Sequence, residues 1–342
     1  MSAESDPAGA VRTGRRPTVV EVAARAGVST ASVSRVLNGK LARPDTMDRV
    51  RAAVIELGYR PDATGRALKL GAAQQIAFAV DDLANPVYTE MMRGVEEGLT
   101  STGARLLVTS TGQDPADTLA LVRSLGRGYA DGLVISPLRR TPALVRALVE
   151  CPVPVVIVGD PGATDALDRV RVDSGAGIRL AYRHLLDTGR RRICFVNGPE
   201  QTSPGAARGS AHRRCAAEWG GSAGTVSVDA FTVEAGEHAW LQVCLLEPDA
   251  LIAANDLLAL GAIRAAEAAG IRVPHDLAVV GVDDIPFARI FSPALTSVSL
   301  RARERGRLAA ELLLQRMSDP ARPAVTVSVE PELLVRESSW RR

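Results

Sequence analysis

Residues Thr18–Asn38 read T-V-V-E-V-A-A-R-A-G-V-S-T-A-S-V-S-R-V-L-N, two short helical patterns parted by one glycine. Thr18 and Glu21 have the S/T-x-x-E spacing of a capping box, in which each side chain satisfies a backbone N–H left open in the first helical turn. That predicts a helix from about Val19 to Ala26. Gly27 can take the positive φ that ends a helix and turns the chain, and Ser29 offers a hydroxyl oxygen to cap a second helix. Helix, glycine turn, helix is the helix-turn-helix pattern. At about 100° per residue, Val33, Val36 and Leu37 fall on one side of the second helix, and Thr30, Ala31, Ser34, Arg35 and Asn38 on the opposite arc. One side is built to pack, the other to read a surface.

Beyond the Asn38-Gly39 stop, Pro44-Asp45 signals a new helix start, and Met47, Val50, Val54 and Leu57 recur at spacings of three and four up to Gly58. Tyr59-Arg60-Pro61 breaks the chain. The segment Asp62–Lys69 has a cap residue and helix-favouring positions but is too short to hold a helix alone, so it should fold only on a partner surface. Charge follows the same division. Residues 11–69 carry 12 lysines and arginines against five acids, net +7, while the first ten residues carry −2 and residues 70–342 carry −3. A basic module with a reading helix predicts duplex DNA as partner, bound with strong salt dependence.

On the words V-A-x-x-A-G-V-S, V-S-R-V-L-N-G and L-G-Y-R-P, residues 18–70 resemble the DNA-binding headpiece and hinge helix of the lactose-repressor (LacI/GalR) family of bacterial transcription regulators. The resemblance implies a recognition helix in the major groove, with Thr30, Ala31 and Arg35 reading bases and Ser29 and Ser32 meeting phosphates. Asn38 and Lys69 join the DNA-contacting set, and Leu68 is the wedge that paired hinge helices drive between base pairs. Side-chain chemistry agrees, since arginine can pair bidentately with guanine O6 and N7, and leucine is an apolar wedge that unstacks a base step. Asp62 and Gly65 depart from the family's asparagine and alanine. Glycine costs about 1 kcal/mol against alanine inside a helix, so the hinge helix should form less readily. Gly65→Ala is therefore predicted to tighten operator binding in a titration; unchanged or weaker binding would refute the hinge argument.

The chain has 342 residues, 46% of them apolar, enough for a small module plus larger α/β cores. No run of eighteen apolar residues occurs, so no membrane span is expected, and residues 1–17 hold no apolar stretch of the signal-peptide kind. They read as a polar, disordered tail. Cys151, Cys194, Cys215 and Cys244 are widely spaced without C-x-x-C, which predicts reduced thiols in a cytoplasmic protein rather than a disulfide or zinc site.

From about Gln74 short apolar runs alternate with amphipathic helices: Ile76–Val80, Arg105–Thr109, Gly132–Ile135, Val153–Val158, Val170–Val172, Arg192–Val196, Ala250–Ala253 and Leu277–Val282. Such runs predict parallel strands covered on both faces. The pattern restarts near Asp173, which favours two doubly wound subdomains, with Leu295–Val298 as a crossover. Ligands of such sheets bind beyond the carboxyl ends of the strands. There stand Asp81-Asp82, Asn85 and Tyr88, then Asn255-Asp256, then Asp283-Asp284. Singly, each acid could be only a turn or helix cap, Asp256 above all. Together they predict a polar cleft.

The resemblance continues through N-P-V-Y, D-G-L-V-I, R-V-D-S-x-A-G, A-A-N-D-L-L-A-L-G-A and G-V-D-D. It implies a small all-α helix-turn-helix headpiece followed by an α/β effector domain of two doubly wound parallel-sheet subdomains, like a periplasmic binding protein. The implied divisions are a tail 1–16, headpiece 17–60, hinge and linker 61–73, a first subdomain of 74–172 plus about 300–328, and a second of 173–299 plus about 329–342. It also implies an effector, a sugar or sugar phosphate, held by Asn85, Tyr88, Arg208, Phe231, Asn255 and Asp283. A homodimer on a double-stranded DNA operator follows, with no cofactor, no metal and no membrane. A-A-R-G-S-A-H around Arg208 lacks the family's R-x-x-G-F, and Val87-Tyr88 replaces a common double phenylalanine, which leaves the sugar unnamed. No leucine heptad follows Arg336–Trp340, so no added tetramer helix is expected. A secreted solute-binding protein would share the α/β part but have no use for residues 18–70. An enzyme would want a nucleophile with its base, a phosphate loop or metal ligands; His184, His212, His238 and His275 show no such spacing, and His184 reads as a packed core residue.

Overall fold

The computed structural model describes residues 18–37, 43–57, 75–112, 114–125, 128–160, 162 and 165–340, in two compact units that divide between Ala72 and Ala73. The tail 1–16, the segment 61–73 with Asp62, Gly65, Leu68 and Lys69, and Asn38 lie outside the described residues.

In the first unit, α1 (Val19–Ala26) opens on the capping box: the Glu21 amide donates to Thr18 Oγ1 at 3.3 Å and the Thr18 amide to Glu21 Oε2 at 2.6 Å. Gly27 ends it at φ 60°, ψ 41°, a left-handed conformation that glycine takes without steric cost. α2 (Thr30–Leu37) and α3 (Pro44–Leu57) follow. Val22, Val33 and Val50 are fully buried and meet Ala23, Ala26 and Ala53 in one small core. An exposed Arg25–Glu56 ion pair spans from α1 to α3; solvent screening keeps its contribution small.

The second unit contains two six-stranded sheets. The first comprises β1 (Gln75–Val80), β2 (Arg105–Ser110), β3 (Gly132–Ser136), β4 (Val155–Val158), β5 (Asp168–Val172) and β11 (Thr326–Val329), all parallel, in the order β11-β5-β4-β3-β1-β2. Its two faces are visible in β1, where Ile76, Phe78 and Val80 join one apolar cluster and Ala77 and Ala79 another. That two-residue alternation is the strand period.

The second sheet holds β6 (Ile193–Asn197), β7 (Ser222–Ser227), β8 (Ala250–Ala253), β9 (Ala278–Val282), β10 (Thr296–Ser299) and β12 (Glu332–Leu334), in the order β12-β10-β9-β8-β6-β7. Only the β10–β12 pair is antiparallel. Between the strands lie α4 (Pro86–Leu99), α5 (Pro115–Ser124), α6 (Pro142–Val149), α7 (Ser174–Asp187), α8 (Ser203–Trp219), α9 (Val233–Leu245), α10 (Asp256–Ala268), α11 (Pro286–Ile290) and α12 (Ala302–Ser318). The chain passes from the first sheet to the second after β5, back through α12 after β10, and across again between β11 and β12.

Several sequence expectations change here. Leu295–Val298, expected as a crossover, is mostly strand β10, because its polar side chains find partners inside: Ser297 Oγ donates to Asp256 Oδ1 at 2.6 Å and Thr296 Oγ1 to the Arg336 carbonyl at 3.0 Å. The strand expected from Val153 begins at Val155, since Pro154 has no N–H for the ladder. β7, β11 and β12 have no predicted counterpart. All four cysteines are free thiols; Cys194 and Cys215 are buried and Cys244 is exposed. His184 is half-buried and hydrogen-bonded at 2.7 Å to Ser339 Oγ.

His212 is the buried histidine, stacked on Phe195 with ring centroids 4.9 Å apart. Burial pulls it down to about 4, with nearby Arg213 lowering it further, so the folded protein holds a neutral imidazole that the unfolded chain protonates near 6.5. The fold therefore keeps this stability above about pH 6.5 and loses it as pH falls toward 4. Wild type should lose roughly 2 kcal/mol more than His212→Phe between pH 7 and 4.5 in urea melts. Asp81, raised to about 6 chiefly by burial, titrates with the opposite sign and cancels in that difference. Equal pH dependence of the two proteins would refute the assignment.

Candidate functional sites

On the first unit, Thr30, Ala31 and Arg35 are exposed on α2, while Val33 is buried and Val36 packs against the core. Arg35 makes no ion pair among the described residues, so its guanidinium is available to an outside acceptor. Ser29 caps α2, its Oγ accepting from the Ser32 amide at 3.2 Å and lying 3.0 Å from Ser32 Oγ. The two serines are thus already coupled at the N-terminus of α2, where the open amides and the helix dipole favour an anion.

On the second unit, a cavity of about 470 Å³ opens at the carboxyl ends of strands from both sheets. Asn85, Tyr88, Arg208, Phe231, Asn255 and Asp283 all line it. Each is delivered by a specific local device. Asn85 caps α4 by accepting from the Val87 amide at 3.1 Å, which sets Tyr88 in the first helical turn. Asn255 caps α10 the same way at 2.9 Å and donates to the Phe231 carbonyl at 3.3 Å. The Phe231 ring occupies the space beside Gly198 that any side chain would fill, since a Cβ there would sit 2.1 Å from Cε1.

Asp283 is held at φ 113°, a conformation that L-residues rarely adopt. Such strain persists where the surroundings over-determine it. Here the Asp283 amide donates to the Val298 carbonyl at 2.8 Å, and Asp256 accepts from Ile285 N–H and Ser297 Oγ just beyond. The result is a carboxylate aimed into the cavity, 3.3 Å from Arg208 Nη2, with Nη1 of the same arginine on the Ala254 carbonyl. Burial raises the Asp283 pKa, opposed by Arg208 and Arg305. Burial likewise raises that of Tyr88.

The acids expected around the cleft separate into two groups. Asp256 is fully buried, does not line the cavity and serves the turn before α11; Asp284 pairs with Arg336 and Arg289. Asp81 and Asp82 lie outside the lining as well. The rim instead carries Asp160, Asp173, Arg171 and Arg214, and the floor carries Arg305, none of them anticipated from sequence. A backbone hydrogen bond from Ser203 to the Leu138 carbonyl, 2.9 Å, bridges the two sides. Among the described residues no cluster of potential metal ligands occurs, and no helix is long and apolar enough to cross a membrane.

Comparison with known proteins matches residues 18–62 to bacterial regulatory proteins of the lacI family and residues 182–339 to the periplasmic binding protein-like domain. The HTH-type transcriptional regulator CelR of Thermobifida fusca is 35% identical over 336 residues, spanning 95% of this chain and 98% of its own. Among solved structures, a CelR–cellobiose complex superposes with TM-score 0.71 at 32% identity, covering 95% of this chain and 100% of that one. A lac repressor dimer bound to operator and the anti-inducer ONPF gives TM-score 0.81 at 25% identity, covering 96% and 100%.

Proposed function

The chain belongs to the LacI family of bacterial regulatory proteins, and from that premise we propose that it represses carbohydrate-uptake or catabolism genes by binding palindromic operators as a homodimer. It is a ligand-responsive, DNA-binding transcriptional regulator and not an enzyme. In this reading it works in the cytoplasm. Thr30, Ala31 and Arg35 read bases, Ser29 and Ser32 hold phosphate, and Asn38, Leu68 and Lys69 complete the DNA contacts. Asn85, Tyr88, Arg208, Phe231, Asn255 and Asp283 hold a sugar-like effector, an assignment supported by the cellobiose in the related complex.

The observation that carries the reading is a cavity lined by paired donors and acceptors, in the same chain as a helix with an exposed reading edge over a buried core. Arginine, asparagine and aspartate can make paired hydrogen bonds to vicinal hydroxyls, and Phe231 or Tyr88 can cover a sugar's apolar face. The effector acts by linkage: it shifts DNA affinity only by its own differential affinity for the two arrangements of the subdomains. Division of the effector domain at residues 172, 299 and 328 is part of the same proposal. The test is selection of duplexes from a randomised pool, followed by titration at several salt concentrations with and without sugars. Palindromic winners whose affinity moves with a sugar support the reading. No specific duplex at low salt, with or without sugars, overturns it.

A further inference from the structure

Five buried side-chain polar atoms have no hydrogen-bond partner among the described residues, and three of them, Ser203 Oγ, Arg208 Nε and Arg305 Nε, belong to residues lining the one cavity just described. Two of the three are guanidinium donors. The cavity thus lacks acceptors more than it lacks donors.

Arg305 is the sharper case. It is 8% exposed and makes no side-chain hydrogen bond or ion pair among the described residues. Its position follows from a close helix crossing. A Cβ on Gly306 would lie 2.0 Å from the Met91 carbonyl oxygen, and one on Gly94 would lie 1.8 Å from that of Arg303. Glycine at both sites lets α12 press against α4 and brings Arg305 into the cavity lining near Tyr88. Asp283 attracts it, Arg208 repels it and the Tyr88 hydroxyl adds a weaker attraction; Asp283 already has Arg208 at 3.3 Å. The other buried acid near Tyr88, Asp81, is offset by Arg139. Burial pulls the Arg305 guanidinium down to about 10, so it remains charged at neutral pH.

Two guanidiniums therefore share one carboxylate on this floor. A buried cation without its own counter-ion is costly, and hydroxyl oxygens compensate it less well than a carboxylate or phosphate, which forms short, charge-assisted and often bidentate pairs with arginine. We propose that the effector carries an anionic group, a carboxylate or phosphate on a polyhydroxylated frame, and that Arg305 receives it while Asp283 and Asn255 take neighbouring hydroxyls. This deepens the effector reading above and rests on it.

The test uses full-length wild type and Arg305→Met. Thermal melts are run at constant ionic strength with chloride exchanged for sulfate, phosphate or acetate. Calorimetric titrations follow with cellobiose, cellobionate, glucose, glucuronate and glucose 6-phosphate. Without ligand, Arg305→Met should melt higher by roughly 2–6 °C, because an uncompensated buried charge is gone. Small oxyanions should raise the melting temperature of wild type more than that of the variant, whose rise reflects only the general exclusion of sulfate and phosphate from protein surfaces. An acid or phosphate should bind wild type roughly 30-fold or more tightly than its neutral parent, a preference that the variant loses. Preference for the sugar acids assigns a carboxylate, and preference for the phosphate ester a phosphate. A variant that melts lower, equal responses of both proteins to oxyanions, or a neutral sugar bound as tightly as its acid each overturns the proposal. Operator titration of wild type runs alongside: operator binding relieved by neutral sugars alone overturns this inference and keeps the regulator reading, whereas absent operator binding overturns that reading itself.

Discussion

Replacing Arg35 with alanine is expected to erase the preference for one base pair in each half-site and to leave the rest of the operator specificity intact. α2 is anchored by buried Val33 and half-buried Val36, and no acid among the described residues competes for the guanidinium, so the substitution removes the proposed reader without disturbing its support. A bidentate arginine–guanine pair carries about 1–3 kcal/mol of discrimination, which is roughly 5- to 150-fold per half-site. A symmetric dimer applies the loss twice. Competition between the best duplex and single-substitution duplexes checks this position by position. If Arg35 touched phosphate instead, affinity would fall uniformly over all duplexes and the salt slope would drop by about one. That result, or unchanged specificity, would remove Arg35 from the reading set.

What could be read from sequence was whatever local chemistry dictates. Thr18, Glu21 and Gly27 announce their helix ends because capping and positive φ need particular residue types, and the structure has both devices. Ile76–Val80 and Ala250–Ala253 announce buried central strands because both of their faces are apolar. The edge strand Ser222–Ser227 has little to announce: it is polar, half-exposed and defined by pairing with β6 alone. Thr296–Ser299 escapes for a different reason, since its burial depends on Asp256 and Arg336, distant in sequence.

The cavity follows the same rule. Asp283 directly follows β9, and Asn255 and Asn85 stand in the short loops after β8 and β1, where they were visible, whereas Arg305 lies within R-A-R-E-R-G-R, where each arginine looks like its neighbours. A signal was present nonetheless. Ala302, Arg305, Ala309 and Leu313 recur at spacings of three and four along the buried stripe of α12, and an arginine in such a stripe marks a charge taken inside. Arg303, between them, faces out to Glu97.

Asp283→Asn should produce the largest loss of any single cavity substitution, and it isolates charge from shape. Asparagine tolerates positive φ about as well as aspartate, so the strained turn at φ 113° is kept, and its amide oxygen can still accept from Arg208. What disappears is the negative charge between two buried guanidiniums. Removing one partner of a buried ion pair costs about 3–5 kcal/mol, and effector affinity should fall at least roughly 100-fold as the hydroxyl acceptor is lost with it. Chemical denaturation reads the first effect and calorimetry the second. The size of the first also depends on Arg305. If both arginines draw on the one carboxylate, Asp283→Asn should cost less when Arg305→Met is already present, with a coupling of roughly 0.5–3 kcal/mol across the double-mutant cycle. Additive effects of the two substitutions would mean that Arg305 is indifferent to Asp283. A loss below about 1 kcal/mol would mean that water already screens the pair.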